Sequence, residues 1–138
     1  MVAAPTPSIA VLIADDQPAQ RAGYRMVLES QPDITVVGEC GDGAQALAQA
    51  RRTRVDVVLM DVRMPRVNGL VAADRITHDA TVLERGAAPR IVLVTALDLD
   101  DHIAAAADAH AHSILYKDVA PELLLAAIRS AAAGNGQD

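Results

Sequence analysis

Short apolar runs alternate along this chain with longer stretches of mixed character. The first run, Ile9 to Ala14, ends in the acidic pair Asp15-Asp16; another, Val57-Val58-Leu59-Met60, ends in Asp61. An unbroken apolar run of this length reads as a strand buried on both faces. The spacing predicts further strands at Ile34 to Glu39, Arg90 to Thr95 and Ser113 to Lys117, with the third strand spanning Asp56 to Asp61. Between them lie helical patterns. Pro18 suits a first helical turn, and Ala19, Gly23 and Val27 with Tyr24 and Leu28 form an i, i+4 stripe broken by Pro32-Asp33. Gly41-Asp42-Gly43 reads as a turn before a second helix with Ala44, Leu47 and Ala48 on one face. Arg51, Arg52 and Arg54 at its far end suit the helix dipole.

Asn68-Gly69 is a turn signal before a third helix from about Leu70 to Glu84, closed by Gly86 and Pro89. Asp98, Asp100 and Asp101 favour the start of a fourth helix, roughly Leu99 to Ala109, and the last helix runs from about Pro121 to Ala133 with Leu124, Ala127, Ile128 and Ala131 on one face. Five strands thus alternate with five helices, which implies a parallel sheet covered on both sides. Met1 to Ser8, with Pro5 and Pro7, reads as a frayed tail; residues 9–133 form one domain, and residues 134–138, with Gly134-Asn135-Gly136, read as the start of a linker.

Composition narrows the function. The chain has 138 residues, 51% of them apolar, but no Phe or Trp and only two Tyr, so it offers little for stacking bases. A net charge of −6 argues against nucleic acid binding by this segment. A single cysteine, Cys40, excludes an internal disulfide and reads as a small hydrophobe. No apolar stretch approaches the ~20 residues of a membrane span, and the N-terminus lacks a signal pattern, so a cytoplasmic domain is expected.

In a parallel sheet the C-terminal strand ends share one edge, where ligands bind. That edge would gather Asp15, Asp16, Asp61, Thr95 and Lys117. Converging carboxylates repel one another unless a hard cation sits among them, and Mg²⁺ fits because it takes oxygen ligands and leaves positions open for phosphate oxygens. Asp61 then suits a nucleophile that accepts a phosphoryl group as an acyl phosphate. Asp15 and Asp16 suit the cation, Lys117 suits an ion pair with Asp61 and later with the phosphoryl group, and the Thr95 hydroxyl can donate to a phosphoryl oxygen. Singly, each residue has a plainer reading: Asp15 or Asp16 as a helix cap, Thr95 as β-propensity, Lys117 as a solvated side chain. Their joint placement carries the signal.

The Asp15-Asp16 pair, Met60-Asp61-Val62-Arg63-Met64-Pro65 with Asn68-Gly69, Thr95-Ala96 and Tyr116-Lys117-Asp118 resemble the receiver domain of two-component response regulators. The resemblance covers about Ile9 to Ala133. It implies a flavodoxin-like (βα)5 three-layer sandwich with sheet order 2-1-3-4-5. It further implies that Asp61 takes phosphate from a sensor histidine kinase and that Asp16, Asp61 and the Arg63 backbone carbonyl ligate Mg²⁺, with Asp15 acting through water. Thr95, Lys117 and the Ala96 backbone N–H contact the phosphoryl group by the same resemblance, and self-association follows activation. Asp16-Gln17-Pro18, Arg21-Ala22-Gly23, Val36-Val37-Gly38-Glu39 and Lys117-Asp118-Val119 resemble one subfamily, whose full-length members carry a C-terminal helix-turn-helix DNA-binding domain.

The chain departs from the family at the switch. Receivers usually place Tyr or Phe three residues before the lysine; here Ile114 stands there, with Tyr116 two residues on and on the same strand face. Glycines usually precede the fifth strand, where this chain has His110, His112 and Ser113. Those histidines read as solvated turn residues, with a metal pair as the alternative. Ala120 stands where a Ser would cap the last helix. A phosphatase that uses an aspartyl nucleophile would need a second acid two residues after Asp61, where Arg63 stands. A nucleotide- or flavin-binding domain would not carry an acidic loop after its first strand. A receiver acting as a phosphorylation-independent interaction module remains the alternative within the family.

Overall fold

The computed structural model describes residues 8–96 and 111–134. The apolar runs form strands β1 (Ile9–Ala14), β2 (Ile34–Cys40), β3 (Val57–Asp61), β4 (Arg90–Thr95) and β5 (Ser113–Tyr116). They pair in parallel in the order β2-β1-β3-β4-β5. The helices among the described residues are α1 (Pro18–Glu29), α2 (Gly43–Arg52), α3 (Gly69–His78), the short α4 (Ala80–Leu83) and α5 (Pro121–Ala133). The helix expected over Leu99–Ala109, and His110, lie outside the described residues.

Side chains alternate across a strand, and here that alternation divides the core in two. Val11, Ile13, Val57, Leu59, Val92 and Val94 pack with Tyr24 and Leu28 of α1 and Leu124, Ile128 and Ala131 of α5. Leu12, Ala14, Val58, Met60, Ile91 and Leu93 face α2, α3 and α4 through Ala46, Ala50, Ala72, Ile76 and Val82. This is the expected three-layer sandwich. Each fully buried Leu or Ile contributes roughly 1.5–3 kcal/mol, and the central strands are buried along almost their whole length.

Several local expectations need correction. The third helix is broken at Asp79, whose extended backbone (φ −74°, ψ 128°) ends α3 and caps α4 by accepting from Val82 N. Aspartate offers the backbone an alternative to the helical ladder, and the Arg51 guanidinium holds this one from α2 at 2.7 Å. Tyr24 and Leu28 of the expected α1 stripe are buried, but Ala19 and Gly23 are exposed; on α2 Ala44 is exposed and the buried face is Gly43, Ala46 and Ala50. In chains so rich in alanine, hydrophobicity alone does not fix which face turns inward.

Two turn signals are really helix starts. Asp42 and Asn68 cap α2 and α3 through their side chains, accepting from Gln45 N and Val71 N. Gly43 and Gly69 are the first helical residues, needed for close approach to backbone: a Cβ would meet Val67 O at 2.5 Å and Asp61 O at 2.1 Å respectively. Ala120 caps α5 without a side-chain hydrogen bond, as expected of alanine. Cys40 is buried at the end of β2, and burial pushes its thiol up to about 11, so it behaves as a hydrophobe. No helix among the described residues is long and apolar enough to cross a membrane.

Candidate functional site

Asp15 and Asp61 continue the alternation of Ile13 and Leu59, so both carboxylates leave the sheet edge on the α1/α5 side. They are 0% and 3% exposed. Asp16 lies beside them and is exposed. One carboxylate oxygen from each of Asp15, Asp16 and Asp61 lies within 4.8 Å of the others. Lys117, just past β5, reaches across β4: its Nζ donates to Asp61 Oδ2 at 3.0 Å and stands 3.2 Å from Asp15 Oδ2. Its side chain is only 12% exposed.

Backbone bonds hold these positions. Gln17 N donates to Asp15 Oδ1 at 2.8 Å, Arg63 N donates to Asp61 Oδ1 at 3.2 Å, and Arg21 from α1 donates to the Asp15 carbonyl at 2.6 Å. Asp15 is therefore no cap for α1, whose cap position is Gln17 and has no side-chain bond. Asp15 Oδ2 faces the Lys117 ammonium at 3.2 Å as a buried ion pair.

The electrostatics follow. Burial pushes the Asp61 carboxyl above its ordinary 3.8; Asp15 adds to this, while Lys117 and the Arg63 N–H oppose it. A carboxylate raised in this way is more basic and a better nucleophile. Burial disfavours the Lys117 ammonium, but Asp61 and Asp15 more than offset that and leave it above its ordinary 10.5. Three carboxylates against one lysine leave net negative charge in a mostly buried place. An all-oxygen donor set, two of its three carboxylates buried, fits a hard dication. These acids form a pocket able to bind a metal.

The remaining predicted site residues lie around this centre. Thr95 ends β4, is 2% exposed, and accepts from Lys117 N through its carbonyl at 2.8 Å. Ala96 follows, exposed at the rim. Ile114 packs partly buried against the α2/α3 side of the core, while Tyr116, paired in register with Thr95, is 51% exposed. His112 is at the opposite edge, its Nε2 3.2 Å from Ser130 Oγ, far from the acids. Among the described residues the Asp15–Asp16–Asp61 cluster is the group suited to a metal, and His112 belongs to none.

Sequence reasoning missed the supports. Arg66 sits at φ 64° in the loop after β3, and its guanidinium reaches the buried Asp42 at 2.9 Å, tying that loop to α2. No sequence signal marks an arginine for positive φ. Beside the loop, an open cleft of about 600 Å³ is lined by Asp16, Val62, Met64, Pro65 and Leu70. A smaller one of about 240 Å³ lies at the other edge near Thr53, Asp56 and Pro89.

The model of the response regulator receiver domain family matches residues 11–129. The chain belongs to that family. It is a signalling receiver domain, not a member of a classical enzyme family. The uncharacterized transcriptional regulatory protein YxjL of Bacillus subtilis is 44% identical over 128 residues, covering 91% of this chain and 55% of that protein. The nitrate/nitrite response regulator protein NarP of Escherichia coli is 39% identical, again over 91% of this chain and 55% of the relative. The chain thus spans about half the length of these relatives, the first of which is a transcriptional regulatory protein by name. Among solved structures, the signal receiver domain of the NarL response regulator of Mycobacterium tuberculosis superposes with a TM-score of 0.80 at 31% identity, over 93% of this chain and 98% of that one.

Proposed function

We propose that this receiver accepts a phosphoryl group on Asp61 from a sensor histidine kinase and changes its self-association in response. The observation that carries the reading is the meeting of three strand ends: Lys117 Nζ 3.0 Å from Asp61, inside an acid cluster whose oxygens lie within 4.8 Å of one another. In the transfer a carboxylate oxygen of Asp61 forms a bond to phosphorus, and the bond from phosphorus to the donor nitrogen breaks. The donor imidazole leaves with that electron pair and is reprotonated from solvent.

Asp16, Asp61 and the Arg63 backbone carbonyl would hold Mg²⁺, with Asp15 acting through water, and the bound ion would supply positive charge to offset the phosphoryl oxygens. Lys117 leaves its pair with Asp61 for the phosphoryl group, and the Thr95 hydroxyl and Ala96 N–H donate to the remaining oxygens. Thr95, Ile114 and Tyr116 carry the change to the outer face of β5. Partial burial of Ile114 against the α2/α3 side of the core supports a packing role for it.

The domain is residues 9–133, flanked by a tail (1–8) and the beginning of a linker (134–138). Its output is control of transcription through a DNA-binding domain elsewhere in a longer cytoplasmic regulator, with any catalysis limited to its own phosphorylation and dephosphorylation. Intact-mass measurement after incubation with acetyl phosphate and Mg²⁺ tests this. One phosphoryl adduct is expected on the wild type and none on Asp61→Asn. An unmodified wild type would instead favour the phosphorylation-independent interaction module.

A further inference from the structure

The three acids are not held alike. Asp15 is fixed by Gln17 N and faces Lys117, and Asp61 is bonded by Arg63 N and by Lys117. Asp16 is exposed, and among the described residues no hydrogen bond or ion pair holds its carboxylate. One of its oxygens nevertheless lies within 4.8 Å of the other two acids, an aim that its backbone must set.

Arg21 reaches that backbone. Its Nη1 donates to the Asp15 carbonyl at 2.6 Å, while its Nε donates to Glu39 Oε1 at 3.2 Å. The Asp15 carbonyl belongs to the peptide plane that also carries Asp16 N and Cα, so pinning the oxygen limits how that plane can rotate. On the other side of Asp15, its N–H donates to Cys40 O at 3.0 Å. Bonds from two elements, β2 and α1, thus flank the residue before Asp16. Gly41 lies beside both groups: a Cβ there would stand 3.6 Å from Arg21 Nη1 and 3.9 Å from Asp16 Cα.

A plain ion pair does not account for this arrangement, because Glu39 already pairs with Arg25, one turn further along α1. The Arg21 side chain is only 23% exposed. Its planar fork serves a carboxylate and a carbonyl at once, which the single ammonium of a lysine cannot match. Charge alone would act against the site, since a guanidinium near a cation repels it. Any gain to the cation from Arg21 therefore comes through geometry.

We propose that Arg21, braced by Glu39, is a positioning residue of the cation site: by holding the Asp15 carbonyl it fixes the β1–α1 loop that presents the Asp16 carboxylate to Mg²⁺. The inference rests on the reading of Asp15, Asp16 and Asp61 as a Mg²⁺ site. Removing a group that orients a metal ligand lowers metal affinity about 10–100-fold.

The test compares wild type with Arg21→Gln and Arg21→Lys. Mg²⁺ is titrated into each chain while the Gln17 amide is followed by NMR, and thermal unfolding is measured in EDTA. Arg21→Gln should bind Mg²⁺ about tenfold more weakly, although it has lost a positive charge. Arg21→Lys keeps the charge but cannot span both partners, and should also bind more weakly than wild type. Equal or tighter binding by Arg21→Gln would overturn the proposal. A lower unfolding temperature in EDTA with unchanged Mg²⁺ affinity would do the same, leaving Arg21 only a tie between α1 and β2. If Arg21→Gln does not fold, Arg21→Lys decides, and wild-type affinity in it would sink the idea. If the wild type itself shows no saturable Mg²⁺ response, the cation-site reading fails and this inference fails with it; a wild-type response with unaltered variants removes this inference alone.

Discussion

Gly69 makes the sharpest test of how the fold holds Asp61, the proposed nucleophile. It is the first residue of α3, donates to Val62 O at 2.8 Å, and lies against the Asp61 backbone. A Cβ there would stand 2.1 Å from Asp61 O, 3.0 Å from Asp61 C and 3.1 Å from Val62 Cα. All three neighbours are backbone, so no side chain can swing aside. Regaining the 3.4 Å of ordinary contact requires Asp61 or α3 to move by about 1 Å. Helix propensity alone favours alanine by up to about 1 kcal/mol, whereas overpacking costs about 1–3 kcal/mol. Gly69→Ala should therefore be destabilised by about 1–2 kcal/mol in urea unfolding. Because a 1 Å displacement of a reacting group can cost about a hundredfold in rate, phosphorylation by acetyl phosphate should slow by at least about tenfold. Gly23→Ala is the control. It sits in the middle of α1 with nothing within 4 Å of its Cβ position, and should gain about 0.5–1 kcal/mol. If Gly69→Ala matches Gly23→Ala in stability and keeps the wild-type rate, the contact does not constrain Asp61 and the reasoning is wrong.

Two further outcomes are expected. Ala120→Ser supplies the side-chain cap that α5 lacks and should raise stability by about 1 kcal/mol, read as a higher urea midpoint; an unchanged midpoint would mean the cap geometry is unsuited to a hydroxyl. The Arg51 guanidinium holds the Asp79 carboxyl below its ordinary 3.8, so this pair contributes stability above that value and loses it as the pH falls through the lower folded-state pKa. Arg51→Gln should accordingly melt below wild type near neutral pH, with the gap closing under acid conditions; a gap that persists in strong acid would point to packing instead of charge.

Strands were the most legible part of the sequence. An unbroken apolar run with an acid or lysine at its end marks both the strand and the edge it reaches, and Asp15, Asp16, Asp61 and Lys117 come together as that pattern implies. The helices were less legible. Alanine on every side of α2 left its inward face undecided, and the break at Asp79 depends on Arg51, 28 residues earlier in the chain. The Arg66–Asp42 tie and the close approach at Gly69 also join segments that no local pattern connects.

The two-sided core has a further consequence. Asp15 and Asp61 share one side of the sheet with α1 and α5, whereas Thr95 is in phase with Ile91 and Leu93, and Ile114 packs on that second side. The acids and the residues proposed to read them thus occupy opposite faces of one sheet and meet only along its rim. A lineage can then replace residues on the second face, as with isoleucine at position 114, without disturbing the acids across the sheet. Receivers with the same chemistry are in this way free to diverge in the partners they address.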